Sequence, residues 1–351
     1  MAKQNQLAYE SELSRVAKNL KIPKRGNIEV AILEYCQGKL TRWIAVHGQP
    51  KTLTELLELF VASLNMGLVE IHNETDVSAL LENIPPSREP VMARIQSELD
   101  DQTDAITIQR SGYESWERPF LAIVNYQDWH SRRAYFTKWH EVVHRMLEGQ
   151  QLRMAFRKTQ VHHTEPAEVL VDRVAAKLAF YPEIFKPFVI RELESTGKLT
   201  FDGADRVRQE VVPEASLQST VIACLDCCPH PMWFVVCAKG YKREEERRLS
   251  SKQARLFPDD RQLPQKKLRV RQVGRNSSAA MLGIMPYQNM RVPDSSIIAQ
   301  ALTDSFCLTH HGTESLSDWQ TSASGPIGYG ELEVEAFRRD EEVWALLRMK
   351  N

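Results

Sequence analysis

The chain has 351 residues, 42% hydrophobic and 26% charged, with a formal net charge of −1. This is the composition of a globular protein large enough for roughly two or three domains, and the near-zero charge excludes any global electrostatic case for nucleic acid or membrane. No run of about 18 apolar residues exists to span a membrane. The polar start, Met-Ala-Lys-Gln-Asn-Gln, lacks the apolar core of a secretory signal. Six unevenly placed cysteines do not form a disulfide framework, so a reduced, cytoplasmic setting is expected.

In chain order, residues 8–45 read as two helices, with Leu13, Val16 and Leu20, then Val30, Leu33, Cys36, Leu40 and Ile44, at helical spacing. Pro23 and Gly26 mark the break. A packing hairpin is the plain reading; a DNA-reading helix-turn-helix is the other. An amphipathic helix follows from Leu53 to Asn65, then a short strand over Leu68–Ile71. Residues 74–103 are polar, with Pro85, Pro86 and Pro90 splitting off a helical piece, Val91–Leu99. Ala105–Ile108 and the apolar run Phe120–Val124 read as strands, the second a buried one. A helix carrying the main motif is expected to start at Thr137 as N-cap and end near Gly149. Residues 150–163 read as polar connecting chain. Thr164 and Pro166 open a second helix that stops before Pro182, and a third runs over about Glu183–Ser195. Two short helices surround Pro213, then Trp233–Cys237 and Leu268–Val273 read as strands. Glu331–Phe337 and Val343–Leu347 flank residues 338–342 as a hairpin, preceded by a Gly/Ser-rich loop over 322–330.

The motif is His140-Glu-Val-Val-His144. Two histidines four apart project from one helix face about a turn apart, as two ligands of one metal require. Glu141, directly after the first ligand, stands where a general base can reach an attacking water. Two histidines leave Zn²⁺ short of a third protein ligand. Glu168, in the first turn of the next helix, supplies it, and Asp172, one turn on, is placed to accept the second ring N–H of a zinc histidine. Glu165 competes with Glu168 as the third ligand, although no Asp or Asn lies four residues after it.

These residues resemble a known family, the ImmA/IrrE-type zinc metallopeptidases. Arg133-Ala-Tyr-Phe-Thr-Lys-Trp-His-Glu-Val-Val-His144 is similar to that family's R-x-R-F-T-x-x-H-E-x-x-H. Glu168-x-x-Val-Asp-x-Val-Ala-Ala-x-Leu178 is similar to its E-x-x-A-[ND]-x-F-A-x-x-L-L-x-P. Val143 replaces the usual Gly, Val171 and Val174 replace Ala and Phe, and Pro182 comes one residue late; the ligands are intact. The resemblance covers roughly residues 50–190. It implies an α+β fold with a zincin-like domain of helices on a small sheet, of the gluzincin type. It also implies cleavage of a partner protein, commonly a helix-turn-helix transcriptional repressor, in response to DNA damage or phage-related signals such as single-stranded DNA. Some such proteins are encoded beside antiphage systems, and many carry a C-terminal GAF-like sensor domain. The expected organisation is an N-terminal helical extension over 1–48, the metallopeptidase domain over 49–200, a small helical linker over 201–232, itself helix-turn-helix-like, and an α+β sensor-like domain over 233–351. The alternative is a non-proteolytic DNA-binding or stress-response regulator on the same scaffold. A zincin site usually adds a side chain that stabilises the oxyanion; His163, its neighbour His162, and Tyr135 are the candidates.

Two weaker signals remain. Cys224, Cys227, Cys228, His230 and Cys237 invite a second zinc site, but their spacing suits buried free thiols better. Cys36, the one cysteine upstream of the motif, lacks any local mark of a metal-blocking thiol. Residues 239–275 hold thirteen Lys or Arg against five acids. That stretch is either a solvated charged face or a groove for a nucleic-acid backbone formed by Arg247, Arg248, Lys266, Lys267 and Arg269, with Trp233, Tyr241 and Phe257 for base stacking.

Overall fold

A computed structural model describes residues 2–23, 26–82, 95, 98–99, 102–109, 118–148, 154–158, 165–249, 264–283, 286–304, 306–321 and 325–350. The fold is α+β. Two compact units divide the chain: Met1–Phe188 with Arg208–Ser216, and Val189–Val207 with Leu217–Asn351. No helix among the described residues is long and apolar enough to cross a membrane.

The first unit begins with α1 (Ala2–Asn19) and α2 (Ile28–His47). Asn27 caps α2 by accepting from the N–H groups of Glu29 and Val30, and Ile32, Cys36, Leu40 and Ile44 form its buried stripe. Next come α3 (Leu53–Ser63), β1 (Met66–Ile71), α4 (Glu74–Glu82), β2 (Thr103–Gln109), β3 (Phe120–Asn125), α5 (Ser131–Glu148), β4 (Met154–Lys158) and α6 (Pro166–Ala179). The sheet order is β1-β3-β2-β4, with β1 parallel to β3 and the other pairs antiparallel. One face, with Ile106, Ile108, Leu121 and Ile123, packs against Val77 and Leu80 of α4. On the other face Ala105 and Val124 receive Ala134 of α5. The motif helix therefore lies flat on the sheet, close enough for side chains of β2 to reach it.

Three expectations change here. The motif helix starts at Ser131, six residues before Thr137, which is a buried interior position. Burial of Ala134 and Tyr135 draws that earlier turn and a half into the helix. Residues 74–82 are helical, because Val77 and Leu80 cover the sheet and Asn73 caps the start by accepting from Thr75 and Asp76. Met154–Lys158 is an edge strand within what reads as connecting chain; pairing to β2 makes it one. Most of the helical piece Val91–Leu99 lies outside the described residues.

The second unit draws α7 (Pro182–Thr196) and α8 (Phe201–Val211) in part, then α9 (Leu217–Leu225), β5 (Met232–Gly240), α10 (Arg243–Leu249), β6 (Lys267–Arg275), α11 (Ser277–Met281), α12 (Ile297–Thr303), β7 (Thr309–Ser315), β8 (Gln320–Thr321), β9 (Gly325–Pro326), β10 (Glu331–Arg339) and β11 (Glu342–Met349). Its five-stranded sheet, β6-β5-β11-β10-β7, is antiparallel throughout. Alternation sends Trp233, Val235 and Cys237 to a face covered by Ile298 and Ala301 of α12. Phe234 goes to the other face, in edge contact with Phe201 and Trp344. The β10–β11 hairpin turns through Asp340 at φ +54°.

Candidate metal centre

The three proposed ligands converge. His140 and His144, 1% and 5% exposed, project from one face of α5 toward the first turn of α6, where Glu168 stands. His140 Nε2 lies 2.9 Å from His144 Nε2 and 3.0 Å from Glu168 Oε2, and His144 Nε2 lies 3.2 Å from Glu168 Oε1. Donors about 2.0–2.1 Å from a tetrahedral zinc stand about 3.3–3.4 Å apart, so this cluster fits with little adjustment. It is the one group among the described residues whose three ligand atoms gather within 4.8 Å. Glu165, the competing ligand, is an exposed N-cap residue outside the group.

Asp172 sits one turn beyond Glu168 with its Oδ1 2.8 Å from His140 Nδ1. A carboxylate there accepts the Nδ1–H, which leaves Nε2, the nitrogen facing His144 and Glu168, as the one to ligate a metal once it gives up its proton. Burial raises the Glu168 pKa, but hydrogen bonds from His140 and His144 and their charge outweigh it and hold the carboxyl well below its usual range. A ligating carboxylate must be ionised, and this environment favours that form.

Glu141 leans toward the sheet. Its side chain is 2% exposed, and its Oε2 accepts from Thr107 Oγ1 of β2 at 2.6 Å. Thr107 was not singled out from the sequence; its one mark is being the polar residue inside Ala105-Ile-Thr-Ile108. A second clasp joins the same strand to the start of the helix. Asp104, at an irregularity in β2, holds His130 Nδ1 at 2.9 Å and Arg133 Nη2 at 3.3 Å, and the Trp129 ring stacks on His130. Lys138, nearly buried, reaches Glu70 at 2.7 Å and Glu214 at 2.8 Å. Burial opposes its charge, but these two carboxylates and Tyr126 keep its pKa raised.

Tyr135 is not brought to the ligands. It is buried, and its hydroxyl donates to the Ala179 carbonyl at 2.6 Å, tying α5 to the end of α6. Five residues before His140, it points to a different side of the helix. His162 and His163 lie outside the described residues.

The cysteines do not form a second metal group among the described residues. Cys224, Cys228 and Cys237 are buried free thiols, and burial pushes the Cys228 thiol up to about 12. Cys36 is likewise buried, at about 12, and so remains a neutral thiol.

The basic stretch is split by the fold. Arg247 and Arg248 are exposed on α10, and Lys266 sits over the Tyr241 ring. Arg269 is 7% exposed, its guanidinium donating to the Gly240 and Asn289 carbonyls, so it is not one of the exposed cations of this stretch. Trp233 is buried in the sheet core and cannot stack on a base. Phe257 lies outside the described residues.

No protein-family model matches the chain, and no curated protein is significantly similar to it.

Proposed function

We propose that the protein is a zinc-dependent endopeptidase of the gluzincin type, with its first unit as a zincin-like domain. The observation that carries this reading is the convergence of His140, His144 and Glu168 beside a carboxylate, Glu141, that is held by its own hydrogen bond. Two imidazoles and one carboxylate are the ligand set of a catalytic rather than a structural zinc, since a structural site is closed by four protein ligands. Zinc bound there supplies Lewis acidity, polarising a scissile carbonyl and lowering the pKa of water. Glu141 takes the proton of the attacking water and delivers it to the leaving amine. Thr107 keeps the Glu141 carboxylate oriented for both transfers, and Asp172 keeps His140 in the ligating tautomer.

The resemblance to the ImmA/IrrE-type peptidases extends this to a substrate class, a helix-turn-helix repressor, with single-stranded DNA as the inducing signal and the second unit as a GAF-like sensor. The test compares wild type with Glu141→Gln, both loaded with zinc, on a peptide library and on a helix-turn-helix repressor with and without single-stranded DNA. Cleavage is expected to fall about 10²–10⁴-fold in the variant while zinc content stays at about one per chain. Equal behaviour of the two proteins, with zinc bound, would leave a non-proteolytic regulator on the same scaffold.

A further inference from the structure

The basic stretch leaves one feature that the hydrolytic reading does not use. In the second unit, the start of α10, the start of β6 and the segment 287–291 enclose a cavity of about 740 Å³. Five cationic side chains line it, Lys242, Arg243, Lys267, Arg269 and Arg291, against two carboxylates, Glu244 and Glu245. Among the described residues, only one of these cations is neutralised from outside. Arg291 pairs with Asp294, but Lys242, Arg243, Lys267 and Arg269 have no ion pair with any described residue. Glu245 is turned to its own helix, accepting from the Lys242 N–H at 2.6 Å.

Arg269 is the most telling of these. It is more than nine-tenths buried, and its two hydrogen bonds are to carbonyls, at 3.3 and 3.1 Å, which solvate a guanidinium without neutralising it. A buried charge lacking a counter-ion is costly, and an anion in the adjoining space removes that cost. The frame is also fixed in advance. Val270 N–H donates to the Met290 carbonyl at 2.9 Å, and Asn289 N–H, from a residue at φ +72°, donates to the Val270 carbonyl at 2.7 Å. These bonds hold segment 287–291 against β6, so the backbone that carries Arg269 and Arg291 is fixed.

We infer that this cavity is a binding site for a small nucleoside polyphosphate. Clustered Arg and Lys suit phosphate oxygens. The volume falls within the range of about 300–1,000 Å³ typical of small-ligand sites. Tyr287, 43% exposed and part of the cavity wall, offers a ring face for a base. The inference stands independently of the peptidase reading, because none of these residues belongs to the metal centre.

Titration calorimetry on the full zinc-loaded chain tests it, with inorganic pyrophosphate, ADP and a single-stranded oligothymidylate as probes. Saturable binding of pyrophosphate is expected, with ADP several-fold tighter. Tyr287→Ala removes the advantage of ADP. The double variant Lys267→Gln/Arg291→Gln, at surface positions that leave the fold and zinc content intact, weakens both at least about tenfold. That variant also controls for pyrophosphate stripping zinc, since its metal site is unchanged. Absence of pyrophosphate and ADP binding at concentrations on the order of millimolar overturns the inference. So does wild-type affinity in the double variant, or oligothymidylate binding that ADP does not compete away.

Discussion

The two units handle buried polarity in opposite ways. In the first, buried polar groups crowd onto β2 and α5 and hold one another: Glu141 with Thr107, Asp104 with His130 and Arg133, Lys138 with Glu70 and Glu214, and His140 with Asp172 and Glu168. In the second, the buried charges, Glu335 and Arg269, answer to backbone groups. Glu335 accepts from the Phe201 N–H, and Arg269 donates to two carbonyls. Desolvating a network of charges is worthwhile where geometry matters more than net stability, because mutual partners fix each side chain's direction. By that criterion the first unit fixes side-chain directions around the candidate metal centre. The second is built around a sheet, with its charge gathered at an edge.

The contrast can be broken most sharply at the metal. His144→Ala removes a proposed ligand that lies within 3.2 Å of both partners. Zinc measured by atomic emission is expected to drop from about one per chain to a small residue, with thermal stabilisation by zinc lost as well. Unchanged zinc would show that the network serves only the fold. Asp172→Asn is the next largest change. It should weaken zinc binding about 10–100-fold in a chelator competition while folding is retained; undiminished affinity would unseat Asp172 as the residue orienting His140. Thr107→Val deletes a single hydroxyl. Peptide cleavage should fall about tenfold in kcat with KM and zinc affinity unaltered, the pattern of a positioning residue. A change confined to thermal stability would reduce Thr107 to packing.

The smallest effect belongs to the second unit. Burial pushes Glu314 and Glu335 up to about 7, against an ordinary carboxyl value of 4.5. The folded state then holds protons that the unfolded chain has released. The stabilisation is complete below about 4.5 and is lost as pH rises through about 7. Urea unfolding followed by tryptophan fluorescence should therefore give lower stability at pH 8 than at pH 5. The double variant Glu314→Gln/Glu335→Gln should flatten that slope, and an undiminished slope would assign the pH dependence to other groups.

How much of this was legible in the chain follows from the range of each interaction. His140, Glu141, His144, Glu168 and Asp172 lie on two helices with i, i+4 spacing, and helical periodicity is a local property. The helices over 53–63 and 166–179 and the buried strand over 120–125 were readable for the same reason. β7 was not. Thr-His-His-Gly-Thr-Glu-Ser has no strand pattern and becomes one by pairing with β10, while Gly312 makes room for α12, since a Cβ there would sit 2.6 Å from Ile297 Cδ1. Thr107 was hidden likewise: its role depends on how α5 registers against β2, and no local spacing encodes that. The choice of Tyr135 as an oxyanion candidate failed from the same blindness, because its partner is the Ala179 carbonyl of another helix.

The two clasps on β2 have one further consequence. Asp104 grips the beginning of α5 and Thr107 grips Glu141 in its third turn, so helix and strand are fastened at two points and cannot slide past each other. Glu168 arrives from α6, which is joined to α5 by other bonds, Tyr135 to the Ala179 carbonyl and His140 to Asp172. On the peptidase reading, the proposed base is thus set by the strand rather than by the ligand cluster. The carboxylates of Glu141 and Glu168 are therefore oriented by different elements, the first by a strand and the second by a helix.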